Sequence, residues 1–211
     1  MVNQQSQNTS IKQRKIGTAL VLKLGGSLLS HTALIQFLQL ASQEGKGQVV
    51  IVPGGGVFAE QVRLTQQQWQ YDDKTAHYMA ILAMQQMALL FQGLCPDLRI
   101  VNKVGLIRAK MQQHAIIWSP LATELDAAGI PASWDITSDT LAAWLAVQLS
   151  IEQLILVKCA EFSADSTVQQ LSDSGIIDKA FADFVHNNKL SINCISYQQL
   201  STVATSLKKH V

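Results

Sequence analysis

Val21-Leu22-Lys23-Leu24-Gly25-Gly26-Ser27 is the stretch that decides how this chain folds. An apolar run ends on a lysine, and two glycines and a serine follow it. The run reads as a buried strand, and the glycines as a sharp exit into a helix expected to begin near Ser30. Backbone N–H groups without a neighbouring Cβ can approach an anion closely, and a helix N-terminus adds partial positive charge. The heptad therefore offers a cation and bare backbone to a phosphate. A plain strand-to-helix turn with a surface lysine has the same letters, so the reading rests on the rest of the chain.

Working outward, the next turn repeats the design. Residues 48–52 are rich in β-branched side chains, Pro53-Gly54-Gly55-Gly56 follows, and a helical pattern runs over 57–68. With a strand over 18–24 and a helix over 32–43, this is a βαβα opening, which calls for parallel strands under crossover helices. A long helix is expected over 74–92, apolar nearly all round at 78–84 and so suited to a core or a subunit contact, of which we favour the contact. Short strands at 99–101 and 115–118 precede a short helix over 121–128. A helix over 140–149 is entered through Thr137-Ser138-Asp139, and 153–158 is a buried strand ending on Lys158. Residues 163–174 have no period and read as a loop, followed by a helix over 177–187, a strand over 191–195 and a last helix over 197–207. The fold class is α/β, a three-layer αβα sandwich around a mainly parallel open sheet. In such sheets ligands gather outside the carboxyl ends of the strands. Chemistry-bearing residues fall there in four loops: 25–27, 53–56, 135–139 and Lys158.

The 211 residues suit one domain over 17–211 behind a polar, glutamine-rich tail over 1–16. Sixteen Lys and Arg balance fifteen Asp and Glu without blocks, which argues against nucleic acid and for a small-molecule partner. No apolar run reaches the roughly 20 residues of a membrane span. Three scattered cysteines without a CxxC fit a cytoplasmic location, and five histidines show no ligand spacing, so no metal-binding residue is assigned. The chain lacks G-x-x-x-x-G-K-[ST], G-x-G-x-x-G and G-x-S-x-G.

Lys23-Leu24-Gly25-Gly26-Ser27, then Val52-Pro53-Gly54-Gly55-Gly56, then Asp135-Ile136-Thr137-Ser138-Asp139-Thr140-Leu141-Ala142-Ala143 resemble, in order and spacing, the signature of the amino acid kinase superfamily. Within it, Phe58-Ala59-Glu60, the 73–84 helix and Pro131-x-Ser133-Trp134-Asp135 are similar to the short kinases of methanofuran and methanopterin biosynthesis, such as aminomethylfuran methyl phosphate kinase. The resemblance implies an acceptor half over about 17–134 and a nucleotide half over about 135–211. It implies that Lys23 lies between donor and acceptor phosphates and that Gly25, Gly26 and Ser27 donate to ATP. Gly54 and Gly55, supported by Gly56, would hold the acceptor. Lys158 would be a second cation on the nucleotide side, and Asp139 would orient both lysines, with Mg²⁺ held largely by the phosphates. A carboxylate in a helix's first turn is favoured by the dipole whatever its role.

Arg63 is the candidate for an anionic acceptor group, His77, near Asp72 and Asp73, for an amine or phosphate, and Asp135 for a further substrate contact. Two departures stand out. Glu60 occupies the place where isopentenyl phosphate kinases carry a phosphate-binding histidine, and Ala160-Glu161-Phe162 replaces the usual Asp-Gly pair. The function implied is an ATP-dependent kinase, a homo-oligomer, acting on a small phosphomonoester or carboxylate in C1-carrier cofactor synthesis. The alternatives are a catalytically weak ligand-binding or regulatory protein on the same fold, or a uridylate or amino acid kinase.

Overall fold

The computed structural model describes residues 19–208, so the expected tail over 1–16 lies outside them. In chain order the elements are β1 (Leu20–Leu24), a 3₁₀ turn (Gly26–Ser30), α1 (Ala33–Glu44), β2 (Val49–Pro53), α2 (Gly56–Trp69), α3 (Asp73–Leu94) and β3 (Arg99–Val101). There follow α4 (Val104–Met111), β4 (Ile116–Trp118), α5 (Ala122–Ala127), α6 (Ser138–Gln148) and β5 (Gln153–Lys158). The chain continues through α7 (Val168–Asp173), α8 (Phe181–Asn188), β6 (Ser191–Ser196) and α9 (Leu200–Lys208). The strands form one sheet in the order β3-β4-β2-β1-β5-β6, and every pair is parallel.

Side-chain alternation along β1 separates the two faces. Leu20, Leu22 and Leu24 pack against Leu34, Phe37 and Leu38 of α1, Met87 and Phe91 of α3, and Val203 and Leu207 of α9. Val21 points the other way, into a cluster with Val50, Val52, Leu154 and Leu156, which Leu141 and Leu145 of α6 and Phe181 of α8 cover. Because α6 lies between the sheet and α8, it is apolar all round, with every residue from Ser138 to Ala146 buried. This completes the αβα sandwich.

Four local readings are corrected. The helix expected to begin near Ser30 after the first glycine pair begins only at Ala33, because a 3₁₀ turn over Gly26–Ser30 intervenes. α4, carrying the buried Ile107 and Met111, lies where no helix was expected. Within the loop expected over 163–174, Thr167 and Gln170 form a capping box that starts α7, a side-chain signal invisible to apolar periodicity. The helix expected from 177 begins at Phe181, which leaves residues 177–180 outside it.

Candidate active site

Parity along the strands explains the central charged group. Lys23 pairs in register with Leu156, and Lys158 lies two residues beyond Leu156 on the same face. Both lysines therefore point to the side covered by α6. Asp139 meets them from the first turn of α6, with Oδ1 2.7 Å from Lys23 Nζ and Oδ2 2.5 Å from Lys158 Nζ. Lys23 is only 4 % exposed and Asp139 3 %, so water screens little of this. Burial alone would raise the Asp139 carboxyl, yet the two ammonium groups hold it below the usual carboxylate range. Burial and the neighbouring Lys23 push Lys158 down, against the pull of Asp139.

The two glycine loops dovetail beside this group. A Cβ on Gly26 would sit 2.2 Å from Gly56 Cα, and one on Gly54 would sit 2.8 Å from Gly26 N, so backbone packs on backbone. Gly54 N–H donates to Leu24 O at 2.8 Å, and Gly56 takes a φ of +57°. Gly25 differs: a Cβ there would meet Val157 O at 3.4 Å and Lys23 Nζ and Ser27 Oγ at 3.6 Å, ordinary contacts beside the ammonium group.

A cavity of about 400 Å³ starts at these loops. It runs between the α2–α3 hairpin and the 133–138 segment, past Ser27, Glu60, His77, Met84, Trp134 and Ser138. Arg63 also lines it, stacked 4.2 Å above the Trp134 ring and 3.9 Å from Glu60. Trp134 Nε1 donates to Gln66 Oε1 at 2.6 Å, and Gln66 Nε2 donates to Asp73 Oδ1 at 2.9 Å, which ties the roof to the hairpin. His77 is 7 % exposed, and its Nε2 has no partner among the described residues. Burial lowers its pKa, with Asp126 opposing, so the imidazole is neutral at pH 7.

Of the residues singled out from the sequence, the structure brings Lys23, Asp139 and Lys158 together. Gly26, Ser27, Gly54, Gly55, Gly56, Arg63 and His77 line the adjoining cavity, and Gly25 faces Lys23. Asp135 does not join them: it is exposed, lies 3.7 Å from Lys179, and is not part of the cavity wall. Sequence reasoning assigned no role to Trp134, Gln66 or Asp178. The Asp178 carboxylate accepts from Thr137 N at 2.8 Å, Thr140 N at 2.9 Å and both threonine hydroxyls. No local pattern marks it, since its partners lie some forty positions earlier.

A three-layer α/β protein whose parallel strands converge on two interlocked glycine loops and a lysine–carboxylate–lysine group is one built to handle anionic ligands. More particularly, the chain belongs to the amino acid kinase family, whose sequence model matches residues 18–171. It is 26% identical over 137 residues to the [5-(aminomethyl)furan-3-yl]methyl phosphate kinase of Methanocaldococcus jannaschii. That match spans 64% of this chain and 63% of the relative's length. Among solved structures, the uridylate kinase of Archaeoglobus fulgidus superposes with a TM-score of 0.67 at 20% identity, covering 90% of this chain and 95% of the other. An isopentenyl phosphate kinase superposes with a TM-score of 0.59 at 11% identity, over 92% and 97% of the two chains. These structures share the fold.

Proposed function

We propose that the protein is an ATP-dependent phosphotransferase that extends a small phosphomonoester to a diphosphate, in the synthesis of a methanofuran- or methanopterin-type C1 carrier. The observation that carries this reading is the buried Lys23, Asp139 and Lys158 group set where the two glycine loops meet. An acceptor phosphate oxygen attacks the γ-phosphorus of ATP, a new P–O bond forms, and the bond to ADP breaks. A phosphate near pH 7 already carries its nucleophilic oxygen ionised, so the protein's work is positioning and charge. Lys23 offsets the repulsion between the two anions, and Asp139 holds both lysines in place. Gly25 lies beside Lys23 on the donor side, and Gly54 and Gly55 line the acceptor side.

Asp139 is fully engaged by two ammonium groups. Among the described residues no three His, Cys, Asp or Glu side chains gather as a metal site. The donor set fits Mg²⁺ carried by the phosphates, where it would neutralise charge on the β- and γ-oxygens.

The cavity's outer part supports an acceptor with a cationic nitrogen. Glu60 and Asp73 line it against a single guanidinium, Arg63, which is committed to the Trp134 face. A carboxylate at Glu60 repels a phosphate and suits an ammonium group, and the M. jannaschii relative is named for an aminomethyl-bearing phosphate. Purified protein with Mg-ATP and [5-(aminomethyl)furan-3-yl]methyl phosphate should release ADP and show a diphosphate by ³¹P NMR. Failure with that acceptor and turnover of UMP would make it a uridylate kinase. No ADP from any phosphomonoester or amino acid would favour the second reading, a weakly catalytic binding protein. What supports that second reading is the open hollow lined by Phe162, Ser163, Asp165 and Gln170, where the altered 160–162 segment ends.

The reading includes a cytoplasmic homo-oligomer. No helix among the described residues is long and apolar enough to cross a membrane. Supporting the oligomer, α3 turns Met79, Leu82 and Leu89 outward along one edge, with Leu82 54% and Leu89 64% exposed.

A further inference from the structure

We propose that Asp178 is the positioning residue of the site: it holds the segment 137–140 so that Asp139 stays between the two lysines. Thr137 is the N-cap of α6, yet its own side chain makes no capping bond to the helix. Its hydroxyl instead donates to Asp178, and so do its N–H, the N–H of Thr140 and the Thr140 hydroxyl. One carboxylate on a separate segment thus takes four donors that flank Asp139 on both sides in sequence. Thr137 and Ser138 from this segment also line the acceptor cavity. The clamp therefore fixes the charged group and the cavity wall together.

The clamp is itself anchored. Ser172 Oγ donates to Asp178 O at 3.0 Å, and Ala180 N–H donates to Asp135 O at 3.1 Å, which binds residues 178–180 to both α7 and the start of the 135–140 segment. A structural cap alone needs no second carboxylate, because a threonine at the N-cap can serve the helix with its own hydroxyl. Placing Asp178 here has an electrostatic cost: burial and the Asp139 charge raise its carboxyl above the ordinary range, while the hydrogen bonds it accepts from the threonines and the charge of Lys23 oppose the rise. Asp178 does not touch the reacting atoms; it acts through Asp139.

Two measurements test this, and the kinetic one alone rests on the phosphotransfer reading. Asp178→Asn, Asp139→Asn and the double variant are compared in steady-state assays with Mg-ATP and [5-(aminomethyl)furan-3-yl]methyl phosphate, after melting curves confirm folding. Asp178→Asn should cut kcat about 100-fold, with a much smaller rise in acceptor KM because Thr137 and Ser138 also line the cavity. In the Asp139→Asn background it should cost under about threefold more, since residues acting as one unit are not additive. Multiplicative losses overturn the proposal. The second measurement needs no turnover: the Lys158 ammonium is followed by NMR of ¹³C-lysine-labelled, ligand-free protein. Thr140→Val, which removes one clamp bond and keeps every charge, should shift the Lys158 resonance and titration, and Thr140→Ser should restore both. An unchanged Lys158 in Thr140→Val overturns the proposal even if no acceptor is ever turned over.

Discussion

Replacing Asp139 by asparagine keeps the shape of the side chain and removes the one charge that Lys23 and Lys158 share. The contacts are 2.7 and 2.5 Å, and the lysine side chains are 5% and 11% exposed, so the loss falls on groups that water barely reaches. Breaking one side of a buried pair costs about 3–5 kcal/mol. Two ammonium groups that met on one carboxylate are then left to repel each other by a few kcal/mol at an effective dielectric of about 20, which is consistent with the lower part of that range. At roughly 2–4 °C per kcal/mol for a chain of this size, the melting temperature should fall by about 10 °C.

The deficit should also depend on pH with a definite sign. Burial and Lys23 already lower the Lys158 pKa, and without Asp139 it falls further below 10.5. The unfolded chain then binds more protons than the folded one across that interval, so the variant's stability rises with pH and the gap to wild type narrows as pH rises from about 7 towards 10.5. In the wild type, the contribution of Asp139 is lost only on the acid side, as pH falls below 3.8 towards its lowered value. Inorganic phosphate should restore part of the loss by supplying the missing negative charge to the folded state alone. Urea unfolding across the alkaline range, with and without phosphate, is the assay. A loss under about 1 kcal/mol, indifferent to pH and phosphate, would refute the argument that the lysines depend on this carboxylate.

Other outcomes follow from the same geometry. Lys23→Ala should leave the fold intact and reduce phosphoryl transfer by about 10²–10³-fold, as removal of a transition-state contact does; equal turnover in mutant and wild type would end that assignment. Gly26→Ala places a Cβ 2.2 Å from Gly56 Cα and should destabilise the protein by several kcal/mol, measured by denaturation. Gly25→Ala meets nothing closer than 3.4 Å, so it should fold normally and weaken nucleotide binding by calorimetry. His77 has a lowered pKa, so stability should decline as pH falls below 6.5, and His77→Gln should flatten that slope in urea titrations. Leu82→Glu places a charge on the exposed edge of α3 and should reduce the assembly seen by sedimentation velocity.

What the sequence made legible was local or periodic. The apolar run before Lys23 and the β-branched run before Pro53 carry their own signal, and so does the Thr137-Ser138-Asp139 helix entry. Their order was enough for the sheet and its ligand end. The elements that escaped lack an apolar period: α4 has buried residues only at Ile107 and Met111, and α7 is set by a reciprocal Thr167–Gln170 cap. Asp178 and the Trp134–Gln66–Asp73 chain escaped for another reason. Their partners are far away in sequence and meet only once the sheet has formed.

The charged group shows how much of such a site follows from parity and register. β1 ends at Leu24, which pairs with Pro53 on one side and Val157 on the other, so both glycine loops and Lys158 leave the sheet at the same level. Lys23 must face α6, because Leu22 and Leu24 face α1 and α3. Lys158 must face α6 too, because it keeps the parity of Leu156 in the α6-side cluster. A one-residue slip of β5 against β1 would turn Lys158 to the opposite face and leave Asp139 with a single partner. Leu154 to Val157 are buried and apolar on both faces, so the register is marked by how each face packs and by the polar ends Gln153 and Lys158, which the slip would turn over. The same side chains that hold the sheet in register therefore bring two lysines to one carboxylate.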